Sequence, residues 1–387
     1  MTAGSPSLAR AQASMGPGAP AFPLLPALVA GCPETSTADV QYPLEVTFDY
    51  DAVDPAIFRQ PPAPSLDRWA PLLPPLAPGL SMGEGGTPLV VSSSLGDAAG
   101  LNAPVYLKLE SQNPTFSHKD RLNLATVSAA VLSDAPGIVV ASSGNHGVSA
   151  AAYASRAGLK AAVIAPPGVS DAFRRMLEAY GADILTAATE ERWPLLRRIQ
   201  AEQGYHPVSN QTDSHTGHPW GPEGYKTIAY EIYGQMGERA PAAVLIPTGY
   251  GEMLFGLAKG FLELVRFGLI ERPPALYSAE PAAAGPLYRA WNSNRPIAHV
   301  TPEPSAMLSI ACQVNGYRGV RALRETGGRP LLVTEDAVAD MQAKLAREGY
   351  WLERSAAAGA AALDQLTPEE AEGGVVAIAT SAGFKDP

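Results

Sequence analysis

The sequence predicts an α/β protein built on open parallel sheets, and three features predict it. Short apolar runs recur after residue 100, each ending in Gly, Pro or a small polar residue. Helical segments lie between them, as crossovers between parallel strands require. The residues of unusual chemistry fall just after the runs, at the carboxyl ends of strands, where ligands gather in such sheets.

In chain order, residues 1–40 are rich in Ala, Pro, Gly and Ser without periodicity, and read as a disordered or loosely packed arm. "YPLEVTFDY" (42–50) alternates as a strand, and a Pro- and Gly-punctuated approach follows it. The apolar runs are then "APVYLKLE", "GIVVASSG", "KAAVIAPPG", "ADILTAA", "AAVLIPTGYG", "ALYSAEP" and "GGVVAIATSAG". Among the intervening helices, "DAFRRMLEAYG" has Ser170 as its N-cap and Gly181 as its stop. No repeat of fixed period appears.

At 387 residues, 46% hydrophobic and 17% charged, the chain is long enough for two packed units. A net charge of -10 with no basic run argues against a nucleic-acid partner. No apolar stretch reaches the length of a membrane span. The cysteines, Cys32 and Cys312, form neither a disulfide framework nor a spaced metal-ligand set, so no metal is expected and a reducing cytoplasm fits. "LVAGC" (28–32) has the small-residue pattern of a lipidated cysteine, but the three prolines of "APAFPLLPALVA" obstruct the helix a signal peptide needs.

Lys119, in "NPTFSHKDR" (113–121), stands at a strand-to-helix turn. Most lysines are solvated surface charges; one in a partly desolvated cleft can instead be a reactive amine. "SSGNHG" (142–147) offers Ser142, Ser143, Asn145 and His146, and reads either as a capped helix start or as a polar binding turn. In "PTGYGE" (247–252), Thr248, Gly249, Tyr250 and Gly251 precede a helix, so backbone N–H groups can converge on an anion; Glu252 opposes that unless it points away. Thr380 and Ser381 supply hydroxyls after the last run. An amine, an anion cradle, an amide and a neutral hydroxyl are together what pyridoxal phosphate requires.

The chain resembles the threonine synthase branch of the fold-type-II pyridoxal-phosphate enzymes. The resemblance covers residues 42–387 in family order: "YPLEVTFDYDAV", "RWAPLLP", "EGGTPL", "KLESQNPTFSHKDR", "GPEGYKTIAYEI" and "GFKDP". It implies two open parallel-sheet domains with an irregular N-terminal arm: a large cofactor-binding domain of residues 41–120 and 227–387, and a small, mobile substrate-side domain of residues 121–226. It implies a homodimer. By the same resemblance Lys119 is the Schiff-base lysine and general base and acid, and Asn145 bonds the cofactor's 3'-oxygen. Thr248 through Glu252 form the phosphate loop, and Thr380, with Ser381 as nearest competitor, faces the pyridine nitrogen. Thr87, Ser142, Ser143 and His146 line the substrate side.

Departures at Phe116, His118 and His146 and one missing arginine bear on substrate. Phe116 and His118 stand where the family's N-P-T-G-S-F-K-D-R motif has Gly and Phe, and His146 stands where threonine synthases have Thr. "SNQTDSHTGHPWGP", before "EGYK", lacks the arginine that grips the phosphate of O-phosphohomoserine; His215, His218 and Lys226 are the residues that could compensate. Three functions remain open: a lyase or transferase acting at Cβ or Cγ of another amino acid, threonine synthase itself, and a non-catalytic scaffold of the same fold.

Overall fold

The computed structural model describes residues 6–61, 63–92 and 94–385. Its strands are β1 (Ala9–Ser14), β2 (Ala21–Phe22), β3 (Leu44–Phe48), β4 (Leu89–Val91), β5 (Val105–Leu109), β6 (Gly137–Val140), β7 (Lys160–Ala165), β8 (Asp183–Thr186), β9 (His206–Pro207), β10 (Ala243–Pro247), β11 (Ala275–Pro281), β12 (Pro330–Val333) and β13 (Val375–Ala379). They belong to two compact units, one of Met1–Ile57, Ser65–Glu84 and Lys119–Tyr225, the other of Phe58–Pro64, Gly85–His118 and Lys226–Pro387.

The first unit contains a parallel sheet of order β8-β7-β6-β9. Every residue of β6 is buried, because helices cover a parallel sheet on both faces, and this is why "GIVV" is apolar without alternation. Val139, Ile164, Leu196 and Ile199 fill its core. The helix Asp171–Ala179 begins as read from sequence, with Ser170 Oγ accepting from Phe173 N at 3.4 Å.

The arm departs from expectation. Residues 9–14 and 21–22 are strands, and β1 pairs with both β2 and β3 in an antiparallel sheet of order β2-β1-β3. One side chain does much of the ordering. Gln12, 1% exposed, donates to the Pro23 and Pro26 carbonyls at 2.7 Å each and accepts from Leu28 N at 3.0 Å. Residues 42–84 also divide differently from the reading above, since Met1–Ile57 and Ser65–Glu84 join the first unit and not the one holding β10 and β13.

In the second unit the sheet runs β12-β11-β10-β13-β5-β4, parallel except for the edge strand β4. Leu107, Leu245, Ala279, Leu331 and Ala377 lie in its core with the alanine-rich helix Arg354–Ala361. Lys108 is fully buried on β5 and pairs with Glu231 at 2.7 Å, so its charge is compensated where solvent cannot reach. Among the described residues no helix is long and apolar enough to cross a membrane, and no group of His, Cys, Asp and Glu could hold a metal ion.

Candidate active site

The loop that leads to Lys119 follows β5 and is held by the C-terminal segment of the second unit. His118 donates from its backbone N to Thr380 O at 2.9 Å, and its Nδ1 lies 3.2 Å from the same oxygen. Ser117 bridges Ser381, and the buried Lys385 Nζ donates to the Thr115 and Phe116 carbonyls at 3.1 and 3.0 Å. Phe116 has φ +63°, a left-handed conformation that costs a residue with a Cβ about 1–2 kcal/mol. That explains why glycine is usual at this point of the motif. The Phe116 ring stands edge-on to Phe384 at 4.9 Å.

Within the first unit, Lys119 opens the helix Lys119–Leu132, half-buried, with Nζ 5.7 Å from the Tyr225 ring centre. The following Asp120 accepts from Ser149 Oγ at 2.6 Å. Ser149 lies one turn beyond Asn145 on the helix Asn145–Arg156, and Asn123 Nδ2 donates to His146 O at 3.3 Å. Two side-chain bonds thus fix the start of the lysine helix against the start of the asparagine helix.

"SSGNHG" turns from β6 into that second helix, with Ser143 and Asn145 buried and Ser142 half-buried. A Cβ on Gly147 would lie 1.8 Å from Ser142 O, so only glycine lets the turn close. His146 keeps some exposure as a residue, yet its Nε2 is shut from solvent and has no hydrogen-bond partner among the described residues. Burial, reinforced by the nearby Lys119 charge, pushes its pKa down to about 3 against the opposing hydrogen bond with the Val208 backbone. The ring is therefore neutral at pH 7. Leaving such a nitrogen unpartnered costs about 1–3 kcal/mol.

Thr248 to Gly251 connect β10 to the helix Glu252–Arg266 in the second unit. Thr248 Oγ1 donates to Ile246 O at 2.7 Å and its N to Ala279 O at 2.9 Å, while Tyr250 O accepts from Gly316 N at 3.0 Å. Gly251 has φ +88°, and a Cβ there would sit 2.9 Å from Gly319 Cα. The loop backbone is thus fixed and its helix N-terminus is suited to an anion. Glu252 lies 4.0 Å from the buried Arg318 guanidinium, which offsets its charge. Sequence reasoning missed Arg318, because nothing local in the chain signals a contact across so long a separation.

Thr380 and Ser381 follow β13, 4% and 0% exposed. Thr87 is buried too, but its hydroxyl donates to Glu110 at 2.6 Å and its carbonyl accepts from Lys108 at 2.6 Å, an anchoring role within the second unit. Two of the residues proposed to replace the missing arginine are engaged elsewhere. Lys226 is fully buried against Glu263 at 2.9 Å, and His218 accepts from Trp220 N through Nδ1 at 3.0 Å with its Nε2 3.0 Å from that of His206. His215 is buried, 4% exposed.

This donor set fits pyridoxal phosphate. Ser381 Oγ is fully buried and lacks a hydrogen-bond partner among the described residues, as befits a hydroxyl kept for a ligand acceptor, and the Gly249–Gly251 loop has the tight backbone of an anion cradle.

Comparison with known proteins agrees. Residues 80–381 match the family model described as pyridoxal-phosphate dependent enzyme. The threonine synthase of Methanosarcina acetivorans is 29% identical over 358 residues, 89% of this chain and 86% of that protein. The threonine synthase of Mycobacterium tuberculosis is 31% identical over 330 residues, covering 83% of this chain and 85% of its own length. Among solved structures, a threonine deaminase from T.th. superposes with a TM-score of 0.66 at 26% identity, over 76% of this chain and 92% of that one. Maize serine racemase does so at 0.64 and 21%, over 77% and 88%. The match spans most of the sequence and every strand of the two larger sheets, so the chain belongs to the pyridoxal-phosphate-dependent enzyme family.

Proposed function

We propose that the enzyme is a lyase that eliminates or replaces a substituent at Cβ or Cγ of an amino acid other than O-phosphohomoserine. The observation that carries this is the lack of an arginine in the segment before "EGYK". "SNQTDSHTGHPWGP" contains no arginine, Lys226 is committed to Glu263, and His146 is neutral. A dianion held without a guanidinium would depend on uncharged imidazoles, and its burial is costly.

Bound pyridoxal phosphate supplies an electron sink for charge developing at Cα. Lys119 would hold it covalently and, once released, move the proton at Cα and at the departing group. The Asn145 amide is suited to the cofactor's 3'-oxygen, and the backbone of Gly249 to Gly251, at the positive end of the helix Glu252–Arg266, to its phosphate. Thr380, with Ser381 beside it, would offer a neutral hydroxyl to the pyridine nitrogen, leaving the ring a moderate sink. Ser142 and Ser143 would face the substrate carboxylate. Thr87 has no substrate role in this proposal. Two cysteines in no disulfide framework fit a reducing cytoplasm, and a homodimer is an implication of the resemblance.

The second reading is threonine synthase, favoured by relatives of that name at about 30% identity. Steady-state kinetics separate the two. The proposal expects kcat/KM for L-serine or L-threonine to exceed that for O-phospho-L-homoserine at least tenfold, the scale of one charge-assisted hydrogen bond lost. Efficient threonine formation with phosphate release would instead establish the second reading.

A further inference from the structure

The Gly249–Gly251 loop runs into an acidic residue at the point where an anion cradle needs positive potential. Glu252 is the first residue of the helix Glu252–Arg266, with its side chain 11% exposed. A carboxylate there suits the helix end, but beside a phosphate dianion it is repulsive. A second segment of the same unit closes against the loop at this place. A Cβ on Gly249 would lie 2.9 Å from Cys312 Sγ, Gly316 N donates to Tyr250 O at 3.0 Å, and Gly251 packs against Gly319. These contacts bring in Arg318, the second residue of the helix Tyr317–Thr326. Its guanidinium lies 4.0 Å from the Glu252 carboxylate, and its Cζ 5.9 Å from the Phe255 ring centre, with 2% of the side chain exposed.

A guanidinium is weakly hydrated and stays charged at every working pH, so it serves as a fixed cation in a buried place. Exposed ion pairs are screened and contribute little, whereas here solvent reaches neither partner well and each charge offsets the other. We propose that Arg318 is a positioning residue for the cofactor: by neutralising Glu252 it lets the Gly249–Gly251 loop present its N–H groups to a phosphate dianion. This rests on the function proposed above and concerns the same site. Arg318 acts through Glu252 and the loop, without contact to the cofactor being required. An ion pair that served folding alone would leave the protein's preference for a phosphate unchanged.

Pyridoxal 5'-phosphate and pyridoxal differ by the phosphate, so the ratio of their affinities for the full chain stripped of cofactor isolates the phosphate's share of binding. Both are followed in the visible spectrum. Arg318→Met is expected to lower the ratio at least about tenfold, because the buried carboxylate is then unbalanced. Glu252→Gln should raise it, because the cation then faces the phosphate alone. The double variant should return to within about threefold of wild type, the mark of a charge coupling between the two residues. Lost packing would instead weaken both compounds together, with no rescue by the second change. A ratio unchanged in both single variants overturns the proposal, as does a double variant no better than Arg318→Met. Should Arg318→Met fail to fold, Glu252→Gln decides, and a ratio equal to or below wild type overturns the proposal. Each of these results leaves the function standing. A wild type that binds neither compound overturns the function, and this inference with it.

Discussion

Lys119→Ala is expected to lower kcat by at least about 10³-fold on the best amino-acid substrate, with cofactor-saturated protein retaining its fold by circular dichroism. The size follows from two roles lost together. The side chain is the amine that would hold the cofactor, and it is the group that would move protons, a contribution of about 10²–10⁴-fold by itself. The fold should persist because Lys119 is half-buried at the first position of its helix, while the Asp120 to Ser149 bond holding that helix start is untouched. Added methylamine should restore part of the rate. Turnover within tenfold of wild type would remove Lys119 from the mechanism.

Gly147→Ala is expected to cost about 3 kcal/mol of unfolding free energy in urea, the upper range for an added methyl group in a packed region. The new Cβ would lie 1.8 Å from Ser142 O and 3.2 Å from Val163 Cγ1, and the first of these is rigid backbone. Either the turn after β6 opens or the helix Asn145–Arg156 moves away from it. Both displace Asn145, so the variant that survives should also bind cofactor more weakly. An unfolding free energy within about 0.5 kcal/mol of wild type, the ordinary range for a surface change, would contradict the close approach.

These residues also mark what the sequence disclosed and what it withheld. The parallel sheets were legible because strands covered on both faces must be apolar throughout, and "GIVVA" and "AAVLI" carry that requirement in a few consecutive letters. That Lys119, Asn145 and the Gly249–Gly251 loop stand at strand-to-helix turns was legible because each follows an apolar run and precedes a helical one. The arm was not, because β1 has no hydrophobic period to display; it is ordered by Gln12, whose partners are carbonyls and an amide up to sixteen residues away. Likewise, whether Lys226 or Arg318 is available depends on Glu263 and Glu252, which are distant in sequence. Long-range pairing of charges leaves no local mark. The left-handed backbone at Phe116 is a different case: a glycine would have signalled it, and phenylalanine conceals it.

The point of cofactor attachment decides whether Lys119 is the reactive amine. Borohydride reduction of the cofactor-loaded protein, followed by proteolysis and mass spectrometry, should find the pyridoxyl group on the peptide containing Lys119 and on no peptide containing Lys108, Lys226, Lys259 or Lys385. Attachment to any of those four, or to no lysine in a protein saturated with pyridoxal phosphate, would contradict that role.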